Sequence, residues 1–161
     1  MPIRIHLLVV ANQTVDSPEL FDALETRAAE GPVHVTLLSP VLWSEREDAR
    51  KRVDDAVARL KERGIDAEGM LGDADPCVAV QEVWNPGRFD EVLVSTFSSG
   101  ASRWMQVDLP HRIAKLTDCT VRHVESRPPE PPHPPTPPAP KRGALESIGS
   151  LLRTATRGRT A

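Results

Sequence analysis

Five apolar runs alternate with four helical patterns over the first 126 residues, and this alternation restricts the fold more than any other feature of the chain. Ile3 to Ala11 is a nearly continuous apolar run, as expected of a strand buried on both faces of a parallel sheet. Ser17-Pro18 then offers a capping hydroxyl followed by proline at the first helical position. Leu20, Leu24 and Ala28 form a helical stripe, which Gly31-Pro32 ends. Val33 to Ser39 reads as the second strand. Ser44-Glu45-Arg46-Glu47 has the form of a capping box, and the helix behind it places Val53, Val57 and Leu60 on one face before Gly64. Ile65 to Leu71 is a weaker third strand. Asp75-Pro76 repeats the cap-plus-proline start, with Val80, Val83 and Trp84 facing inward. Glu91 to Thr96 is the fourth strand, a helix through Ile113 and Leu116 follows, and Thr120 to Val124 is the fifth. Strands separated by helices require right-handed crossovers and a parallel sheet. The expected fold is a doubly wound, Rossmann-like α/β domain with five parallel strands in the order 3-2-1-4-5.

Composition breaks after Ser126. Arg127 to Pro140 reads RPPEPPHPPTPPAP. Such a segment lacks the donors for helix or sheet and is expected to form an extended spacer. The expected organisation is a domain over 1–126, a proline-rich linker over 127–140 and a basic tail over 141–161. The tail has five basic residues against Glu146, a net +4, so residues 1–140 carry −7 of the overall −3. Leu145, Ile148, Leu152 and Ala155 give the tail a faint amphipathic pattern. It reads either as a short basic helix for an anionic membrane surface or acidic partner, or as a solubilising extension. An acidic domain does not favour nucleic acid. Cys77 and Cys119 stand in no disulfide or zinc spacing. The longest early apolar run, Leu7 to Ala11, is too short for a leader or a membrane span. A cytoplasmic protein is expected.

One stretch narrows the fold further. GDADPCVAVQEVWNPGRFDEVLVS, from Gly72 to Ser95, combines a Gly-Asp-x-x-Pro turn, an apolar helix, Phe89-Asp90-Glu91 and a buried strand. It resembles the second half of a universal stress protein domain, and the resemblance extends over about residues 3 to 124. Ser102-Arg103-Trp104 followed by Asp108-Leu109-Pro110 resembles a subgroup signature. ATP-binding members of that family carry G-x2-G-x9-G-[S/T] after the fourth strand, where glycines let backbone amides approach phosphates. The matching frame here falls on Ser95, Ser98, Asp108 and Leu109, so the spacing survives while each diagnostic residue differs. The family's nucleoside-contacting acid after the first strand aligns with Asn12. The resemblance thus implies a degenerate site at Asn12, Ser95, Ser98 and Asp108, and Arg103 joins these candidates as a nearby cation. No cofactor is expected, with ATP or AMP as the alternative.

Asp108 reads as an N-cap whose charge would occupy the place of a phosphate. Arg103 could compensate with its fork of donors, or stack on Trp104 or pair with an acid. Ser95, Thr96, Ser98 and Ser99 could serve a ligand at the carboxyl end of a strand or act as turn residues. Catalysis finds no G-x-S-x-G elbow, and both cysteines read as packing residues. The histidines His6, His34, His111, His123 and His133 follow no metal spacing. Asp48, Asp54, Asp55 and Glu62 read as a solvated helix face. Asn12-Gln13-Thr14 lacks the acidic pair of a phosphoacceptor domain. The leading expectation is a non-enzymatic module acting through an unknown protein partner, and, as the family implies, a homodimer through the fifth strand. The rivals are an adenine-nucleotide-binding stress-response protein and a small hydrolase or transferase.

Overall fold

The computed structural model describes residues 2–98 and 103–130. The proline-rich linker beyond 130, the basic tail, Ser99 and Ser102 lie outside the described residues. The elements are β1 (Ile5–Val10), α1 (Pro18–Glu30), β2 (Val33–Pro40), a 3-10 turn (Trp43–Glu45), α2 (Arg46–Glu62), β3 (Asp66–Gly72), α3 (Pro76–Val83), β4 (Glu91–Phe97), α4 (Arg103–Gln106), α5 (Leu109–Thr117) and β5 (Val121–Ser126). All strand pairs are parallel and the order is β3-β2-β1-β4-β5, as the alternation predicts.

Successive side chains of a strand point to opposite faces, and β1 feeds two cores accordingly. Leu7, Val9 and Ala11 pack with Leu20, Phe21 and Leu24 of α1 and with Val53 and Leu60 of α2. Leu8 and Val10 pack with Ala79 and Val80 of α3 and Ile113 of α5. Cys77 and Cys119 border this second core, and burial pushes the Cys77 thiol up. Two glycines allow the helices to close on β3. A Cβ at Gly69 would collide with Val53, and one at Gly72 would lie 2.6 Å from the Ala79 Cβ.

The helix starts follow the sequence signals with one exception. Ser17 accepts from the Leu20 amide. Asp75 accepts from the amides of Cys77 (2.8 Å) and Val78 (3.4 Å). The capping box at Ser44 does not form. The 3-10 turn runs straight into α2, and its carbonyls take up the free amides: Glu45 donates to Leu42 and Arg46 to Trp43. Glu45 thus stands at the cap position with no side-chain cap bond. At the end of α3, Trp84 leaves the helix and stacks on Phe89, with ring centroids 5.9 Å apart.

Candidate functional site

In an open parallel sheet, ligands bind beyond the carboxyl ends of the strands, where the strand order reverses. Here that point lies between β1 and β4, and it carries a cleft of about 510 Å³. Asn12, Gln13 and Thr14 after β1 form its floor together with Ser95 to Phe97 of β4. Pro40 to Leu42 and Glu45 make the wall on the β2 side, while Arg103 and Trp104 of α4 make the opposite wall. Leu42 and Trp43 are exposed beside the β2 wall, Trp43 to 85%, and the Arg46 guanidinium lies 5.3 Å from the Trp43 ring.

Of the residues the sequence singles out, Asn12, Ser95 and Arg103 meet at this cleft; Ser98 and Asp108 do not line it. Ser98 donates its amide to the Ser126 carbonyl (2.8 Å) and so joins the ends of β4 and β5. Asp108 precedes α5, but its side chain caps nothing. Its backbone is left-handed, with φ 48° and ψ 54°, whereas a side-chain cap requires an extended backbone. The reading of Asp108 as an N-cap carboxylate is therefore corrected.

The hydroxyls of the cleft are already committed to partners within the protein. Ser95 is buried and donates to Thr14 Oγ1 (2.8 Å), and Thr14 donates to the Ser95 carbonyl (3.1 Å). Thr96 Oγ1 and His123 Nε2 lie 2.7 Å apart. Asn12 is different, because its Oδ1 is buried without a hydrogen-bond partner. A buried acceptor left unpaired costs about 1–3 kcal/mol, so the Asn12 amide is a polar group of the cleft whose hydrogen-bonding capacity the described residues do not use. Among the described residues the Arg103 side chain has no ion-pair partner, and neither has that of Glu45. Glu45 is the residue that sequence reasoning missed. Its capping-box signature hid it, and its place on the cleft follows only from the adjacency of β1 and β2.

A second polar cluster occupies the opposite end of the sheet. His34 Nδ1 lies 2.8 Å from Asp66, and Arg88 lies 2.8 Å from Glu68. The hydrogen bond to His34 holds the Asp66 carboxyl below its usual range. Burial raises the Glu68 carboxyl, but hydrogen bonds from Thr36, His34 and Arg88 outweigh it and hold the group low. Among the described residues no group of three His, Cys, Asp or Glu side chains could hold a metal ion.

Solved structures with the same architecture decide the fold. A universal stress protein from Archaeoglobus fulgidus superposes with a TM-score of 0.53 at 14% identity, covering 75% of this chain and 93% of its own. The fold is that of the universal stress proteins. A family member from Burkholderia pseudomallei gives a TM-score of 0.53 at 18% identity, covering 75% of this chain and 96% of its own. One from Arabidopsis thaliana, solved with AMP bound, gives 0.52 at 15% identity, covering 80% and 97%. No protein-family model matches the sequence, and no curated protein matches it. The universal stress protein fold accounts for the strand order. None of the described helices is long and apolar enough to cross a membrane.

Proposed function

We propose that this chain is a non-enzymatic, cytoplasmic module of the universal stress protein type that binds an adenine nucleotide with a single phosphate and signals through protein contacts. The observation that carries the reading is the unpaired, buried Oδ1 of Asn12 at the cleft between β1 and β4. The AMP bound to the Arabidopsis thaliana protein of the same fold supports the ligand class. The committed hydroxyls support a binding role over catalysis, because the neighbour of Ser95 is Thr14, which is no general base. Among the described lining residues Arg103 is the one cation, and Glu45 offsets it. That balance suits one phosphate better than three, since each added charge meets no further compensation.

Calorimetry on the full chain is expected to show AMP binding about tenfold tighter than ATP, a difference of ~1.4 kcal/mol. Asp108→Gly separates two causes. If Asp108 lies off the nucleotide path, the variant melts slightly higher, because glycine relieves the left-handed backbone, and ATP affinity stays the same. A tenfold gain in ATP affinity would instead identify the Asp108 charge as the obstacle. ATP binding equal to AMP in the wild type counts against the single-phosphate reading.

The partner surface we propose is the outer edge of β5, which among the described strands pairs only with β4. Unpaired strand groups invite addition of another strand, and two copies related by a two-fold axis satisfy each other. Light scattering on a chain ending near Ser126 is expected to give a dimer at tens of micromolar. A monomer at that concentration removes the proposal.

A further inference from the structure

The polar groups of the cleft divide into those already satisfied and those still open. Thr14 and Ser95 bond to each other, and Thr96 bonds to His123. Asn12 Oδ1, the Glu45 carboxylate and the Arg103 guanidinium are open among the described residues. Their placement is ordered. Asn12 follows β1, Glu45 ends the turn after β2, and Arg103 opens α4 after β4. Because β1 lies between β2 and β4, Glu45 and Arg103 flank Asn12 from opposite sides. The strands behind them are two spacings apart, about 9.6 Å.

From this arrangement we infer that the cleft is bipolar and that Glu45 is its specificity-determining residue, selecting ligands whose end remote from the anionic group carries an amino group. The inference rests on the nucleotide reading above. Arg103 offers only donors and attracts the anionic end. A carboxylate offers only acceptors. The Asn12 amide can turn to present either its oxygen or its nitrogen, so it tolerates several partners. Glu45 has no such freedom, and the demand for a donor comes from it. Glu45 is exposed, so a ligand lacking that donor forfeits a charge-assisted hydrogen bond at a hydrated carboxylate, a modest discrimination on the order of tenfold. Glu45 lines the cleft, is exposed and makes no cap bond to α2, so its substitution does not threaten the fold.

The test compares three probes on the full chain by calorimetry: AMP, purine riboside 5′-monophosphate (AMP without its amino group) and adenosine. The wild type is expected to prefer AMP to the purine riboside monophosphate about tenfold. Glu45→Ala should weaken AMP by about the same factor and abolish the preference. Glu45→Lys should weaken AMP further, by placing a cation against the amino group. Arg103→Ala should weaken AMP, leave adenosine unchanged and keep the effect of the amino group. Thermal melts of each variant confirm folding. A wild type that binds both monophosphates equally, or a preference that survives Glu45→Ala, overturns the role of Glu45 while leaving nucleotide binding intact. Failure of all three probes to bind overturns both.

Discussion

Gly72→Ala is expected to destabilise the domain by about 2 kcal/mol and to lower its melting temperature by roughly 5–10 °C. Gly72 closes β3 beside Pro40 of β2, and α3 lies directly over it. An added Cβ would sit 2.6 Å from the Ala79 Cβ and 3.0 Å from Leu38 Cδ1. The opposing Ala79 atom is the first of its side chain, on a helix whose face is fully buried. No rotamer change can clear it, so α3 must move as a body. That motion would disturb the cap at Asp75 and the wall at Ala74, which lines the cleft. Gly31→Ala is the control, because nothing lies within 4 Å of an added Cβ there and its φ of 161° is an extended backbone. Equal losses at both positions in urea melts would show that packing beneath α3 is not what Gly72 secures.

Glu91→Ala should cost about 2–3 kcal/mol, somewhat less than breaking a fully buried pair. Glu91 opens β4 and receives a two-point clasp from Arg27 of α1, with Nε 3.3 Å from Oε2 and Nη2 3.2 Å from Oε1. Only 12% of the Arg27 side chain and 19% of that of Glu91 are exposed. The hydrogen bond to Glu91 is the main influence holding the Arg27 pKa above its ordinary value. Removing the carboxylate leaves this guanidinium to Glu30, at 3.2 Å from Nη1, while Arg122, 3.8 Å from Glu91, loses its partner too. Replacing both members with leucine should recover part of the loss, because the charges then left without a partner, Arg122 and Glu30, are half-exposed and hydrated. If Glu91→Ala alone costs less than about 0.5 kcal/mol, the clasp behaves as an ordinary surface pair, and the tethering of α1 to β4 must be sought in the apolar contacts.

The fold was legible because buried parallel strands write themselves as unbroken apolar runs, as in Leu7 to Val10 and Val92 to Val94. The cap-plus-proline starts at Ser17 and Asp75 were legible for a local reason: each involves neighbours within three residues. The start of α2 was misread because a preceding 3-10 turn can satisfy the same amides through backbone alone, and sequence does not distinguish the two solutions. Asp108 was misread because Asp tolerates both the extended and the left-handed backbone, and only the folded chain separates them. The site was legible only in outline. Whether a hydroxyl is open or committed depends on partners such as Thr14 and Ser95, which are 81 residues apart in sequence. Glu45 reaches the cleft through strand adjacency, a property of the sheet and not of any local motif.

The two ends of the sheet differ in what they permit. A pair of chains joined along β5 would leave β3 as the outer strand on each side, and any longer array would have to grow there. That strand carries Asp66 and Glu68, both exposed at its amino-terminal half, and hydrogen bonds from His34 to Asp66 and from Thr36, His34 and Arg88 to Glu68 hold both carboxyls below their ordinary range. Two such edges brought together would have to desolvate these charged, ion-paired side chains, and charged edge residues are one means by which natural sheets refuse further strands. Assembly would therefore close at two copies and not run on into a fibre.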